Sequence, residues 1–273
     1  MSGSCRSEIV RYENGSFSGR RLDDLAVEEP LEIRVEGHSI AVVMRTPGHD
    51  RELAAGFLLT EAIIRTASDV FDITTCVPAG AAAKGNVVDV ALTNPGSFDA
   101  ARLTRHVFTS SSCGVCSKSS IEAVLRRCRP LTDPFPVMGD LLLGLPGRLV
   151  SEQKGFSRTG GLHACGLFDC SGNLVAARED VGRHNALDKL IGHALLEKRT
   201  PLMKHIVLLS GRASFEMMQK AHAGGISVVA AIGAPSSLAV EFARESGQTL
   251  AGFLRNGSMN IYAGEAWIHP ATG

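Results

Sequence analysis

The chain has 273 residues, 44% of them hydrophobic and 21% charged, enough for one large domain or two modest ones with a real core. Its 28 basic and 28 acidic residues cancel, so bulk charge selects neither nucleic acid nor an anionic membrane as a partner. Residues 1–15 are polar, without the apolar core of a signal peptide. No apolar run approaches the roughly 18 residues that span a bilayer. The expectation is a cytoplasmic protein with no membrane contact.

Residues 1–20 read as a loose arm. Leu31 to Val35 and Ile40 to Met44 read as two strands around a turn at Glu36-Gly37-His38. Thr46-Pro47-Gly48-His49-Asp50 breaks the second strand, and Asp50 is placed to N-cap a helix carrying Leu53, Phe57, Leu58 and Ile63. Val87 to Leu92 alternates like another strand. Ile121, Val124, Leu125 and Cys128 fall at i, i+3, i+4 and i+7, one buried stripe of a helix, which makes Cys128 a core position. Pro130 to Gly147 is rich in proline and glycine and reads as a connector or short apolar hairpin, a possible hinge. Leu174 to Ala177 reads as a strand leading to a helix with Leu187, Leu190, Ile191 and Ala194.

The last third is the most regular. Ile206 to Ser210 is a short apolar strand, Phe215 to Ala223 a helix ended by Gly224-Gly225, and Ile226 to Ile232 a second strand. Leu238 to Ser246 is a helix ended by Gly247. Leu250 to Leu254 and Asn260 to Tyr262 flank a turn at Asn256-Gly257. Strands alternating with helices predict an α/β fold with a mainly parallel, layered sheet.

Seven cysteines, an odd number, are scattered at 5, 76, 113, 116, 128, 165 and 170. In a reducing compartment that argues against a disulfide scaffold and makes a paired motif catalytic or metal-binding. The pair is Cys113-Gly114-Val115-Cys116, preceded by Ser110-Ser111-Ser112 and followed by Ser117-Lys118. Two thiols at this spacing can share a metal, close a disulfide, or carry sulfur as a persulfide. At a pKa near 8.5 only about 3% of a thiol is ionised at pH 7; a pKa of about 6.5 raises that to roughly 75%. The following helix N-terminus and Lys118 both act in that direction. A chance spacing is the competing explanation.

A zinc site needs two more ligands, and His163, Cys165 and Cys170 are the only clustered candidates. A nucleobase deaminase places a glutamate two residues after its histidine, with the cysteine pair later. Here Cys165 occupies that position and the pair comes first, so deaminase chemistry is disfavoured. Cys165 and Cys170 flank a hairpin strand and read more plainly as core positions. Two glycines before His163 indicate a constrained turn, and that histidine is as readily structural as functional.

Arg178 to Leu190 packs charges and a glycine between a strand and a helix. Arg183 and His184 are placed to bind an anion or order the cysteine loop, and Asp180 or Asn185 to cap the helix. Ser210-Gly211-Arg212-Ala213-Ser214 and Ala234-Pro235-Ser236-Ser237 each follow an apolar strand and open a helix. In an open α/β sheet such strand ends bind ligands. Helix N-termini there offer N–H groups to phosphate, and Arg212 adds a bidentate donor. The plainer reading is that Ser214, Ser236 and Ser237 are ordinary N-caps.

These residues resemble the FdhD/NarQ family of formate dehydrogenase accessory sulfurtransferases. The resemblance runs through Met44 to Gly48, Glu52 to Leu58, the Ser-Ser-Cys-Gly-Val-Cys loop, Gly160 to His163, Arg178 to Leu190, Leu209 to Lys220, Ala234 to Val240 and Gly252 to Arg255. It implies an α/β (α+β overall) chain: a smaller β-rich N-terminal domain, 1–105, and a cytidine deaminase-like layered α/β domain, 106–273, carrying the cysteine loop. It implies a sulfur carrier that accepts sulfane sulfur from a cysteine desulfurase and passes it to molybdenum bis(molybdopterin guanine dinucleotide), the substrate, on its way to formate dehydrogenase. Cys113 would bear the persulfide and Cys116 assist. Phe253, Leu254, Arg255, Asn256, Gly257 and Ser258 would form the cofactor-binding segment, joined by Arg212, Ser236 and His163 for the phosphate and guanine groups. A homodimer and no intrinsic metal are further implications. The chain departs from the family at Ser117, often glycine, and at Cys165, often a small residue, where an off-pathway disulfide becomes conceivable. Two other classes compete: a thiol–disulfide oxidoreductase, against which nothing before Cys113 looks like a thioredoxin lead-in, and a zinc-stabilised nucleotide-binding module.

Overall fold

The structure, a computed structural model, describes residues 3–76, 85–97, 130–131 and 134–270. Its first element corrects the expected loose arm. Strands β1 (Ser4–Glu13) and β2 (Ser16–Ala26) form an antiparallel hairpin. The turn is Asn14-Gly15, with φ of 50° and 82°, the positive values a two-residue hairpin turn requires. Most side chains of this ribbon are exposed and none is buried, so no apolar alternation marks the strands and only the Asn-Gly pair announces them.

Strands β3 (Glu29–Val35) and β4 (His38–Arg45) pair antiparallel, as their alternation predicts. With β5 (Val70–Cys76) and β6 (Val87–Leu92) they make a four-stranded sheet in the order β4-β3-β6-β5. Leu31, Ile33, Val35, Val88 and Val90 are fully buried from it. Helix α1 (Asp50–Thr60) follows. Asp50 begins this helix but does not cap it: the N-cap is His49, in the left-handed region and without a side-chain cap. The Asp50 carboxylate is taken instead by Arg45, whose Nε and Nη2 donate to it at 2.9 Å each. The helix stops at Thr60, short of the expected Ile63, because Ala62 turns to φ 58°.

The presumed connector is mostly helix. After β7 (Val137–Met138), α2 (Gly139–Val150) includes Pro146. Leu142, Leu145 and Leu149 lie on one face and are fully buried, and that burial outweighs a proline in the interior. A short helix, α3 (Lys154–Thr159), ends at Gly160 with φ 65°.

The main sheet comprises β8 (His163–Asp169), β9 (Leu174–Asp180), β10 (His205–Leu209), β11 (Val228–Ala231), β12 (Thr249–Arg255) and β13 (Ser258–Ala263), in the order β13-β12-β11-β10-β8-β9. Only β10–β11 and β11–β12 are parallel. The sheet is therefore mixed rather than mainly parallel, because hairpins rather than helical crossovers join β8 to β9 and β12 to β13. The latter turns at Asn256 and Gly257, as expected, with φ of 53° and 69°. A last strand, β14 (Ile268–His269), pairs parallel with β7.

Period-two alternation sends Val207, Leu209, Val229 and Ala231 to one face and Ile206, Leu208, Val228 and Ala230 to the other. The second face packs on Leu142, Leu145 and Leu149 of α2. The first is covered by α4 (Arg183–Leu196), α5 (Phe215–Ala223) and α6 (Ser237–Ser246), and one continuous apolar cluster runs from there to the four-stranded sheet. Cys165 is buried on β8 whereas Cys170 is exposed in the β8–β9 turn, so only the first is a core position. Burial pushes the Cys165 thiol up, leaving it neutral and enclosed, a poor candidate for disulfide formation.

Helix α1 lies against α4 at two glycines. A Cβ on Gly56 would strike the backbone oxygen of Asp188, and one on Gly192 the backbone oxygen of Glu52. Below this crossing Lys220 Nζ donates to Asp188 at 2.8 and 3.0 Å and to Thr60 at 2.8 Å. Burial lowers the Lys220 pKa, but Asp188 and Glu61 reverse this and raise it overall, so the ammonium keeps its charge inside the joint.

Candidate functional site at the carboxyl edge of the main sheet

The charged run from Arg178 to Lys189 divides into two sets of residues with different tasks. Most of it holds the four-stranded sheet in place. Arg178 grips Glu52 at 2.5 and 2.8 Å; Asn185 Nδ2 donates to the Met44 carbonyl at 2.7 Å; Lys189 donates to the Thr46 carbonyl at 2.8 Å. Neither Asp180 nor Asn185 caps α4, whose N-cap is Gly182. Asp180 accepts from the backbone of Gly182 and Thr46 and pairs with Lys189, because a fully buried carboxylate needs a cation and several donors. Arg183 and His184 remain, and they turn to the other side.

That side is built by strand direction. Because β10, β11 and β12 are parallel, their carboxyl ends open together, and β8, antiparallel to β10, brings its first residue to the same edge. A Cβ on Gly211 would sit 3.3 Å from His163 Nδ1, so the absent side chain leaves room for the imidazole. Successive backbone bonds lock the three loops: Gly233 N to Gly211 O at 3.0 Å, Phe253 N to Gly233 O at 3.1 Å, and Ser236 N to Ala213 O at 3.0 Å. Phe253 carries φ 55° within a register shift between Gly252 and Arg255. A bulky residue in the left-handed region inside a bulge is strained, a feature that concentrates at functional sites.

The chemistry of this edge is cationic. Burial depresses the His163 pKa, and Arg183, His184 and Arg212 depress it further, with Asp180 opposing; the imidazole is neutral at pH 7 beside two guanidinium groups. Arg212 is exposed. Arg183 Nε is buried and finds no hydrogen-bond partner among the described residues. His184 Nε2 lies 2.8 Å from Glu216 Oε2, while its Nδ1 has no partner among the described residues. Ser236 is a true N-cap, its Oγ accepting from Ala239 N at 3.2 Å. Ser214 occupies the N-cap of α5 without bonding its backbone, and its buried Oγ has no partner among the described residues. Helix N-termini and two arginines give this edge the donor and charge chemistry that suits an anion.

Of the residues singled out from sequence, His163, Arg212, Ser236 and Phe253 share this edge. Leu254 is buried in the cluster behind the sheet. Asn256, Gly257 and Ser258 lie exposed at and beside the β12–β13 turn, and Arg255 reaches back over the Phe253 ring at 5.3 Å. Glu216 and the unpaired Ser214 hydroxyl were not legible: His184 and Glu216 sit on separate helices, and no motif couples them. Cys113 and Cys116, with Ser117, Lys118 and the helix expected over residues 121–128, lie outside the described residues.

A family model, FdhD/NarQ family, matches residues 26–269. The chain belongs to the FdhD/NarQ family. Among its relatives, the sulfur carrier protein FdhD of Mycolicibacterium paratuberculosis is 53% identical over 266 residues, covering 96% of this chain and 97% of that one. The protein of the same name from Streptomyces coelicolor is 51% identical over 267 residues, with 95% and 93% covered. A crystal structure from Desulfotalea psychrophila, described as a formate dehydrogenase accessory protein, superposes with a TM-score of 0.78 at 22% identity, over 98% of this chain and all of that one. At that identity the likeness establishes a shared fold and nothing more. Among the described residues no helix is long and apolar enough to cross a membrane.

Proposed function

We propose that this protein is a cytoplasmic sulfur carrier serving formate dehydrogenase. The observation that carries this reading is identity of about half the residues, along more than nine-tenths of the chain, with proteins named sulfur carrier FdhD. In the proposed reaction the Cys113 thiolate attacks the terminal sulfur of a cysteine desulfurase persulfide. A new S–S bond forms, the donor's S–S bond breaks, the donor leaves as a thiolate, and Cys113 holds a persulfide. Cys116 assists as the second thiol. The persulfide S–S bond then breaks, Cys113 leaves as a thiolate, and the outer sulfur passes to the substrate, molybdenum bis(molybdopterin guanine dinucleotide), whose metal supplies the two electrons that take sulfane sulfur to sulfide, before formate dehydrogenase receives it.

The cationic edge is our candidate for holding that substrate. Arg212 and Arg183 match its phosphates in charge and fork geometry, and the N-termini of α5 and α6 add backbone donors. His163 and Ser236 border the same space, and the segment from Phe253 to Ser258 supplies the rim for a guanine group. We further propose that the chain works as a homodimer. The test is complementation: in cells lacking their own copy, wild-type protein should restore formate dehydrogenase activity and the Cys113→Ala protein should not. Full restoration by Cys113→Ala would reject the assignment.

A further inference from the structure

The β1–β2 hairpin is poorly explained by the chain that carries it. It pairs with no other strand among the described residues, so neither edge of the ribbon carries a neighbouring strand; α3 packs against it, with Arg158 Nη1 donating to Ser4 Oγ at 3.1 Å. Val10, Tyr12, Phe17 and Leu22 are 54 to 77% exposed. Register places them on one face: Val10 opposes Arg20, Tyr12 opposes Phe17, and Leu22 opposes Glu8. An isolated two-stranded ribbon is marginal in water, and an open edge beside exposed apolar residues is a template for another strand.

The charge order in β2 says which strand fits. It reads Arg20-Arg21-Leu22-Asp23-Asp24, the reverse of its own sign pattern about Leu22. Laid antiparallel against a second β2 with Leu22 on Leu22, Arg20 of each copy opposes Asp24 of the other, and Arg21 opposes Asp23. Cross-strand ion pairs of this kind stabilise a ladder, and like charges directly opposite destabilise it. A two-fold axis normal to the sheet pairs residues of the same face, so the neighbouring self-registers centre on Arg21 or Asp23. Each sets a charge against itself. Within one hairpin Arg6 opposes Asp24 and Glu8 opposes Leu22. The four-stranded sheet would therefore carry rows Arg6-Asp24-Arg20-Val10 and Glu8-Leu22-Leu22-Glu8 without like charges side by side. Strand β1 offers only one such pair per half, Arg6 against Glu8 about Ser7.

We propose that two copies of this chain join through their hairpins, β2 against β2 antiparallel about Leu22, forming a continuous four-stranded sheet with an isologous interface. The inference names the surface of the homodimer proposed above and is independent of sulfur transfer. Three full-length proteins test it by sedimentation equilibrium: wild type, Arg20→Asp/Arg21→Asp, and Asp23→Arg/Asp24→Arg. Wild type should sediment with the mass of two chains. Each variant alone should dissociate to one chain, with at least tenfold weaker association, and an equimolar mixture should recover the mass of two, because every acidic position then faces a basic one. A monomeric wild type, a variant that dimerises unchanged, or a mixture that stays monomeric would each overturn the interface. Sulfur loading of Cys113 in the same samples is a separate readout, so the interface and the sulfur-carrier reading fail separately.

Discussion

Lys189 Nζ lies 2.7 Å from Asp180 Oδ2, and both side chains are at most 1% exposed. This pair ties the end of β9 to the body of α4, and through the Thr46 backbone, which meets both partners, it ties the four-stranded sheet to the main one. Removing one partner of a buried pair leaves an uncompensated charge. Lys189→Met should therefore cost about 3–5 kcal/mol, read as a shift in denaturant midpoint. Adding Asp180→Asn should recover part of the loss; strict additivity of the two changes would show that the pair is not coupled.

The α1–α4 crossing tolerates no side chain at its centre. Gly56→Ala or Gly192→Ala drives a methyl into a backbone oxygen of the facing helix, and the helices must separate. We expect a loss of about 3 kcal/mol or more, at the upper end of overpacking costs, measured by thermal melting. Gly144→Ala, where a Cβ meets nothing within 4 Å, is the control and should leave stability unchanged or slightly raised.

Much of the C-terminal half is legible from sequence because its signals are local. Leu238 to Ser246 shows a helical period closed by Gly247, and Asn256-Gly257 announces its hairpin. The failures are physical too. Pro146 and three glycines disguise α2, since only tertiary burial of Leu142, Leu145 and Leu149 reveals its period. The β1–β2 ribbon has no buried face to alternate. In Arg178 to Lys189 composition signals importance, but only contacts with Thr46 and Glu52, more than 120 residues away, divide clamp from site. The Ser236 cap was readable from its position before a helix; the unpaired Ser214 hydroxyl, at an equivalent position, was not.

Acid should loosen the same joint. Burial raises the Glu52 pKa, but hydrogen bonds from Arg178 and His49, with their charges, hold it down to about 2, against 4.5 for an ordinary glutamate. A carboxylate depressed on folding contributes stability that is whole above 4.5 and is lost as pH falls toward 2. The contribution is on the order of 2 kcal/mol after allowance for the solvent that reaches it. Urea midpoints between pH 5 and 2.5 should fall more steeply for wild type than for Glu52→Gln; parallel curves would contradict this.

His163 carries the opposite sign. Burial and the charges of Arg183, His184 and Arg212 hold its pKa below 6.5. A phosphate at the edge would offset those charges and raise it, so binding takes up a proton. GDP affinity measured by calorimetry should increase as pH falls from 8 to 6, and this dependence should flatten in His163→Gln. Arg212→Ala should weaken GDP about tenfold or more, the worth of a hydrogen bond to a charged group. Unchanged affinity in Arg212→Ala would remove that residue from the site.

Cys113 is the proposed bearer of the travelling sulfur. Intact-peptide mass spectrometry of the full-length protein, after incubation with a cysteine desulfurase and free cysteine, tests it most directly. One added sulfur atom is expected on the peptide containing Cys113, removed by a thiol reductant and absent from the Cys113→Ala protein. Sulfur that accumulates undiminished on the Cys113→Ala protein, or only on peptides carrying Cys5, Cys76 or Cys170, would contradict it.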